Sequence, residues 1–519
     1  MSTKFNIKIK NKVSFKTLGF ILAPIVFTLL WNANLDPTNP LVSKMAAIAS
    51  LMAIFWATEA IPLAATSLIP IVLFPVMGIM NKGGSIANVY FNNIIFLFIG
   101  GFIIALAMER WNLHKRIALF IIKKVGNSPS RIIMGFMLGT MFLSMWISNT
   151  ATAVMMLPVA MAIILKMEDS FGVDKSHKFS ISLLLGIAYS ASIGGAATLV
   201  GTPPNLVFVK LFKDLFPNAP EISFATWMLA TIPIVLIMMA FIWFLLTQVL
   251  YRIPKHLEID ETIVNEEYKA LGKLSYEEKT VAIVFVITAI LWITRVDINF
   301  GDFKIPGWRN LFENPKSMND GVTAIFMALL LFLIPVKNKK SEYKTIVDST
   351  VFKDLPWSVI LLFGGGFALA KGFQVSGLSD FIGNNLSSLE GASPLATILG
   401  VSSVMTFTTE FTSNTATTQM IIPVLASVAV AMKTNPLILI IPATLSASFA
   451  FMMPVATPPN AVVFGSGRIK MFEMIKAGFI INIIGILLIT IIFYLIGMNL
   501  FDIDANVFPE WAIPVNRVE

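Results

Sequence analysis

The stretch Ser148-Asn149-Thr150-Ala151-Thr152 recurs as Ser413-Asn414-Thr415-Ala416-Thr417, at an offset of 413 − 148 = 265 residues. A second duplicated motif follows each copy, and it reads Thr202-Pro203-Pro204-Asn205 and Thr457-Pro458-Pro459-Asn460, at an offset of 457 − 202 = 255. Glycine-rich blocks precede both motifs, because Ile95 to Phe102 matches Ile360 to Phe367 at 360 − 95 = 265. Three blocks duplicated in one order predict two structural repeats.

The surroundings of these motifs are those of a membrane protein. The chain is 56% hydrophobic and 13% charged, and its mean hydropathy is +0.79. A spanning helix needs about 20 apolar residues to cross about 30 Å of hydrocarbon, and runs of that length recur along the chain. No large soluble domain remains outside them.

Each Ser-Asn-Thr block lies within an apolar run that is too long for one span. The segment 132–165 is uncharged over 165 − 132 + 1 = 34 residues, which at about 1.5 Å per residue exceeds the hydrocarbon thickness. We therefore predict a re-entrant hairpin over 132–165 and a second over 391–432. The segments 179–213 and 434–467 contain glycine and paired prolines, and predict broken helices whose freed backbone groups need a protein or water environment.

These elements predict an all-α polytopic membrane protein with about 11 transmembrane helices plus two re-entrant hairpins. One extra span before five spans and a hairpin per half makes the two repeats inverted in topology. The predicted divisions are a cytoplasmic N-terminus with the first span (1–44), a first repeat (45–250), a polar linker (251–277), a second repeat (278–500) and a C-terminal tail (501–519).

The net charge of +8 comes from basic residues in short segments between apolar runs, as the positive-inside rule expects. This distribution argues against nucleic acid as a partner and for a multi-pass protein of the plasma membrane. Lysines precede the first apolar run and predict a cytoplasmic N-terminus: Lys4, Lys8, Lys10, Lys12 and Lys16. A cleaved signal peptide ending near Ala33 is the alternative interpretation.

The residue types of common enzyme active sites are scarce. The chain has no cysteine and three histidines, which are His114, His177 and His256. All three lie in polar connections beside Lys or Arg, so a histidine metal cluster or a Ser/His/Asp triad is not expected. We predict a transporter and not an enzyme, with an anion channel as the alternative from another class.

Ser, Asn and Thr are strong helix N-caps, and a half-helix beginning there directs free N–H groups at an anion. Two hairpin tips approaching from opposite faces would match a ligand with two carboxylates. The Thr-Pro-Pro motifs cap helices similarly and leave preceding carbonyl groups free to ligate a cation. No Lys or Arg lies in the four motifs, so we expect sodium to supply the positive charge. For Glu410 and Lys371 we expect an internal ion pair, with direct ligand contact as the alternative for both and protonation coupling as a further alternative for Glu410.

With these residues assembled, the sequence resembles the divalent anion:sodium symporter family, within the ion transporter superfamily. The likeness covers nearly everything after Lys16. Beyond the duplicated motifs it includes Trp56-Ala57-Thr58-Glu59-Ala60-Ile61-Pro62, Ala107-Met108-Glu109-Arg110-Trp111-Asn112-Leu113-His114 and Phe363 to Gly372.

The resemblance implies a homodimer in which a scaffold domain supports a transport domain that moves as an elevator. It implies succinate, malate or fumarate as the substrate, co-transported with sodium ions. The implied substrate contacts are Ser148, Asn149, Thr202, Ser413, Asn414, Thr415, Thr457 and Pro458. The implied first sodium site is Ser144, Ser148, Asn149 and Gly201, and the second is Thr409, Thr412, Asn414 and Ala456. Similar proteins exchange one dicarboxylate for another without sodium, such as malate for 2-oxoglutarate or citrate for succinate, and this is the alternative mechanism.

Overall fold

The computed structural model describes residues 15–80, 83–126, 128–253, 262–300, 303–337, 342–385, 393–505 and 507–513. The predictions made for Lys4, Lys8, Lys10 and Lys12, for His256 and for residues 514–519 of the tail lie outside the described residues. Within the described residues the chain is helical except for one small β-hairpin and the connections.

The helices of the first half follow the hydropathy pattern closely. They are α1 Phe15–Trp31, α2 Pro40–Thr58, α3 Leu63–Thr66, α4 Ile69–Met77, α5 Gly83–Tyr90, α6 Asn93–Arg110, α7 Leu113–Val125, α8 Pro129–Ser144, α9 Asn149–Phe171, α10 Val173–Ala196, α11 Pro203–Leu215 and α12 Phe224–Phe244. A π-helical stretch, Leu245–Leu250, continues α12. The predicted first span is therefore α1, which packs against α2.

The second half has a similar order of elements. It contains α13 Thr262–Ala270, α14 Tyr276–Ile293, β1 Ile298–Phe300, β2 Phe303–Ile305, α15 Asp320–Leu333, α16 Val351–Asp354, α17 Trp357–Ser376, α18 Leu378–Asn385, α19 Pro394–Thr409, α20 Asn414–Ala431, α21 Leu437–Ala447, α22 Pro458–Phe464, α23 Met471–Ile492 and α24 Met498–Leu500. The strands β1 and β2 pair antiparallel, with Ile298 opposite Ile305. A π-helical stretch, Phe493–Gly497, joins α23 to α24.

Eight helices in the described part of the chain are long and apolar enough to cross a membrane. They are Pro40–Thr58, Asn93–Arg110, Asn149–Phe171, Val173–Ala196, Phe224–Leu250, Trp357–Ser376, Asn414–Ala431 and Met471–Leu500. Shorter apolar helices, including Phe15–Trp31 and Asp320–Leu333, supplement them. The prediction of an all-α polytopic membrane protein is confirmed.

The two overlong apolar runs turn back on themselves at the duplicated motif. Between α8 and α9 only residues 145–148 are non-helical, and between α19 and α20 only residues 410–413. Proline lies inside the second arm of each hairpin, at Pro158 in α9 and Pro423 in α20. The arms of the first hairpin run from 129 to 171 and are longer than the predicted 132–165, because the polar ends continue the helices beyond the apolar run.

The predicted broken helices are interrupted by breaks of different length in the two halves. The first break, 197–202, lies between α10 and α11, and the second, 448–457, lies between α21 and α22. Thr202 and Thr457 are the N-caps of α11 and α22, each followed by proline at the first helical position. Proline suits that position because its missing N–H has no intrahelical partner there.

The halves interlock through these hairpins. The second arm of the first hairpin, α9, packs against α22 of the second half, and α20 packs against α11 of the first half. Helices α10 and α21 also contact the half-helix of the opposite repeat, because α10 meets α22 and α11 meets α21. Each hairpin tip is therefore held in a frame that both repeats supply.

Glycines in the duplicated glycine-rich blocks allow close helix packing. A Cβ atom on Gly100 would lie 2.6 Å from the backbone of Ala324 on α15, and one on Gly365 would lie 2.6 Å from Cα of Ser67. The blocks therefore lie where α6 and α17 approach neighbouring backbone, which is the use of glycine that transmembrane packing favours.

The predicted polar linker contains a packed helix within its described residues. Helix α13 lies against α7, where Glu267 pairs with Lys115 at 2.7 Å. Arg116 on α7 donates to the carbonyl groups of Leu271 and Gly272 at 3.0 Å each, and it pairs with buried Glu278 at 2.9 Å. The linker is therefore anchored to the amphipathic helix α7.

Candidate functional site

At the first hairpin tip, one hydroxyl group lies between two acceptor oxygens. The Ser144 Oγ atom is 2.6 Å from the side-chain oxygen of Asn149 and 2.6 Å from the carbonyl oxygen of Ala191 on α10. Ser144 is fully buried. A serine hydroxyl has a single proton and can donate to only one of two oxygens, so the group has more acceptors than protons when the Asn149 oxygen faces Ser144.

The second hairpin tip repeats this arrangement. The Thr409 Oγ1 atom is 2.6 Å from the side-chain oxygen of Asn414 and 3.0 Å from the carbonyl oxygen of Ala447 on α21. The matching residues are related by 409 − 144 = 265 and 414 − 149 = 265, and the carbonyls by 447 − 191 = 256. A cluster of oxygens with too few protons suits a cation such as sodium, which takes hydroxyl, amide and carbonyl oxygens as ligands.

The Asn149 amide has two orientations with different consequences. With its nitrogen turned inward it donates to the Gly201 carbonyl (3.2 Å), Ser144 Oγ (2.6 Å) and the Ala191 carbonyl (3.3 Å). With its oxygen turned inward it joins these oxygens as a further cation ligand. Both orientations place Asn149, Ser144 and Gly201 in one group, so three of the four residues expected for the first sodium site lie together.

Gly201 allows the break after α10 to close against the hairpin tip. A Cβ atom there would lie 2.5 Å from the carbonyl oxygen of Gly195 and 3.0 Å from that of Met145. Thr198 reinforces this contact, because its hydroxyl donates to the Met145 carbonyl at 2.5 Å and accepts from the Gly201 amide at 3.0 Å. Any larger residue at 201 would separate these oxygens.

Two asparagines in the duplicated Thr-Pro-Pro-Asn motif bond to carbonyl groups of the breaks, a role that the motif alone does not predict. The Asn205 side chain donates to the Thr198 carbonyl at 2.7 Å and to the Gly195 carbonyl at 3.4 Å. Its mate Asn460 donates to the carbonyl groups of Met453 and Ala450 at 3.1 Å each. The duplication of the motif through its fourth residue is the signal that could have identified them.

The residues expected to contact substrate lie mainly at helix N-termini. Ser148, Thr202, Ser413 and Thr457 are the N-cap residues of α9, α11, α20 and α22. Ser413 and Thr457 accept hydrogen bonds from the amides of Ala416 and Asn460, whereas the Ser148 and Thr202 side chains do not cap their helices. Asn414, Thr415 and Pro458 follow in the first turns of α20 and α22. Such termini present N–H groups that favour an anion.

Two residues expected in the second sodium site are placed less directly. The Thr412 hydroxyl bonds to Thr417 Oγ1 at 2.6 Å and to the Thr408 carbonyl at 2.9 Å, away from the Thr409–Asn414 group. Ala456 is buried just before Thr457, and its amide donates to the Met453 carbonyl at 3.2 Å. The side chain of Ala456 has no ligand atom, so this residue could ligate a cation only through its backbone carbonyl group.

The expected ion pair of Glu410 is not found among the described residues. The Glu410 carboxylate instead accepts hydrogen bonds from the backbone amides of residues 451–453 and from the Asn482 side chain. Lys371 is exposed. Hydropathy could not reveal these partners, since backbone amides carry no sequence signal.

The chain is similar to known membrane transport proteins. A family profile described as "Sodium:sulfate symporter transmembrane region" matches residues 15–503. The chain is 44% identical over 509 residues to the sodium-dependent dicarboxylate transporter SdcS of Staphylococcus aureus strain MRSA252, covering 96% of this chain and 95% of that protein. It is 43% identical over 495 residues to SdcS of Staphylococcus saprophyticus, covering 94% and 93%. A solved structure of the MtrF antimetabolite efflux pump of Neisseria gonorrhoeae has the same fold, with a TM-score of 0.53 at 12% identity over 90% of this chain and 96% of that chain.

Proposed function

The chain belongs to the sodium:sulfate symporter transmembrane family, and we propose that it imports C4 dicarboxylates such as succinate, malate and fumarate in symport with sodium. Its relatives at 43–44% identity are named sodium-dependent dicarboxylate transporters. These alignments cover at least 93% of this chain and of each relative, so the comparison extends over nearly the full length of both proteins.

The observation that carries the proposal is the duplicated oxygen group. Ser144 with Asn149 and Thr409 with Asn414 each place a hydroxyl oxygen 2.6 Å from a side-chain amide group, beside a helix carbonyl. Sodium bound at either group would supply the positive charge that the motifs lack, and its binding would favour a nearby anion because both are desolvated together. The sodium gradient can then drive uptake.

The substrate class follows from the donors at the hairpin tips. The N-termini of α9 and α20 both begin at the Ser-Asn motif, one in each repeat. They offer neutral hydroxyl, amide and N–H groups, which suit carboxylates without a fixed cation. Two such tips on opposite repeats suit a ligand with a carboxylate at each end, and a C4 acid is the size we propose.

The packing supports an elevator movement of one body against another. Helices α2, α4, α5, α17 and α18 share a hydrophobic cluster built on residues such as Met45, Trp56, Phe74 and Phe373, and Ala416 of α20 also packs into it. We assign α2, α4, α5 and α17, with α1, α6, α14 and α15, to a scaffold that also forms the dimer. The hairpins with α10–α12 and α21–α23 form the transport body, joined to the scaffold through α7 and α18. A cytoplasmic N-terminus remains part of the proposal.

Reconstituted vesicles test the proposal directly. Purified protein in proteoliposomes should accumulate labelled succinate when sodium is high outside, and should not when potassium replaces sodium on both sides. Unlabelled malate and fumarate should compete, and sulfate should be included as a second candidate anion. Uptake that ignores sodium but requires internal dicarboxylate would replace symport by exchange, and non-saturating currents would indicate a channel.

A further inference from the structure

Glu410 carries a buried carboxylate to which the proposed function assigns no role. It follows the last residue of α19 and is fully buried, at 0% exposure. Its oxygens accept hydrogen bonds from the amides of Phe451 (2.7 Å), Met452 (2.9 Å) and Met453 (3.0 Å) and from the Asn482 side chain on α23 (2.7 Å).

All four donors are neutral, so they solvate the negative charge of an ionised Glu410 without cancelling it. Burying a carboxylate is costly unless several hydrogen bonds replace its water. Backbone amides aimed at an ionised oxygen make strong, charge-assisted bonds and can stabilise it without a base. No Lys, Arg or His forms an ion pair with Glu410 in the part of the chain that the structure describes.

The matching position in the first repeat carries no charge. The mate of Glu410 is Met145, at 410 − 145 = 265, and Met145 contributes its backbone carbonyl to a bond from the Thr198 hydroxyl. Helix α10 continues to Ala196, whereas α21 ends at Ala447, the mate of Ala191. The earlier end of α21 leaves amides without intrahelical partners, and the carboxylate takes three of them.

These bonds determine how the second break is shaped. In a trans peptide the N–H and the preceding C=O point in opposite directions, so holding amides 451–453 turns the carbonyls of residues 450–452 away from Glu410. The Ala450 carbonyl, turned away in this manner, accepts from the Asn460 side chain. The Met453 carbonyl accepts from the same Asn460 side chain and from the Ala456 amide. Glu410 therefore anchors the connection that leads to Ala456 and Thr457, while its neighbour Thr409 belongs to the oxygen group.

We propose that Glu410 is a positioning residue of the second cation site, and that its fixed charge makes this site bind sodium more tightly than the first. The inference rests on the proposed sodium symport. The two repeats then have unequal roles although their motifs are nearly identical. The second tip carries the buried carboxylate of Glu410 next to its hydroxyl ligand Thr409, and the first tip carries Met145 at the matching position.

The test compares Glu410→Gln with the wild type in two measurements. The first is the sodium concentration at half-maximal thermal stabilisation of the purified protein without substrate, and the second is sodium dependence of succinate uptake in proteoliposomes. Glutamine keeps the shape but removes the charge and turns an N–H₂ group toward backbone amides. We expect the half-saturating sodium concentration to rise about tenfold in both measurements, while the succinate KM at saturating sodium returns to within twofold of the wild type.

Glu473→Gln is the matched control. Glu473 accepts from the Lys470 amide at 2.8 Å at the start of α23, outside both oxygen groups, and its variant should keep the wild-type sodium dependence. If Glu410→Gln fails to fold, Glu410→Asp carries the test, since it retains the charge but cannot reach all three amides, and a rise of about threefold is expected. Wild-type sodium dependence in the folded Glu410 variant overturns the inference alone, whereas a wild type without sodium dependence overturns the proposed function.

Discussion

Glu221 and Arg295 form an ion pair between the connection from α11 to α12 and the end of α14, with 2.5 Å between carboxylate oxygen and guanidinium nitrogen. Arg309 holds the second oxygen of Glu221 at 2.6 Å, and buried Arg295 also pairs with Asp320 at the start of α15. In the proposed elevator, Glu221 belongs to the transport body and the other three residues to the scaffold. The pair therefore joins the two bodies in this conformation.

Cross-linking this connection should stop transport. The chain has no cysteine, so Glu221→Cys with Arg309→Cys can be linked specifically by a short bis-methanethiosulfonate reagent. We expect succinate uptake to fall at least tenfold after linking, because the transport body can no longer leave the scaffold, and to recover on reduction.

A second pair controls for the reagent. Asp297 accepts from the Asn310 side chain at 2.7 Å within one connection, so linking Asp297→Cys to Asn310→Cys should leave uptake unchanged. Full uptake by the linked 221–309 protein would contradict the assignment of these segments to different moving bodies.

Asn149→Ala and Asn414→Ala should each abolish succinate uptake while leaving expression unchanged. Each variant removes the side-chain amide from an oxygen group and from the first turn of its half-helix. Sodium and the dicarboxylate therefore each lose a contact in a desolvated site. Uptake in proteoliposomes and size-exclusion chromatography measure the two properties. Exposed Asn499, whose side chain donates to the Leu495 carbonyl at 3.1 Å, supplies the control Asn499→Ala. Near-normal uptake by both tip variants would remove the site assignment.

Ser144→Ala and Thr409→Ala should raise the half-saturating sodium concentration about tenfold, the effect of losing one hydroxyl ligand. Thr409→Ser should behave like the wild type, because it keeps the hydroxyl between Asn414 and Ala447. Sodium titration of uptake at fixed succinate measures this. An unchanged sodium dependence in both alanine variants would show that these hydroxyl groups are structural.

Gly201→Ala should lower uptake at least tenfold, because its Cβ would lie 2.5 Å from the Gly195 carbonyl and would force the oxygens of the first group apart. Gly400→Ala in α19 is the control, since a Cβ there meets no atom within 4 Å. Initial rates of sodium-driven uptake, normalised to protein in the vesicles, compare the two. Equal rates would mean that the backbone near Gly201 can shift to accommodate the added methyl group without affecting transport.

Much of the architecture was predictable because it depends on local physics. The uncharged run around Ser148 is too long to cross once, so it turns back, and the structure places the turn at residues 145–148. Paired prolines after Thr202 and Thr457 cannot continue a helix, and both begin new ones. Exact arm lengths were missed at Pro129 and Phe171, since hydropathy marks the apolar stretch and not the polar helix ends.

The sequence by itself determined the duplicated hairpins, the breaks and the absence of basic residues from their motifs, because hydropathy and helix capping act over a few neighbouring residues. Only the tertiary structure decided that Ser144 meets the Ala191 carbonyl, that α9 packs on α22, and that Glu410 bonds to the amides of 451–453. These contacts join residues far apart in the chain through backbone groups. Every residue carries such groups, so no pattern of side chains predicts these contacts.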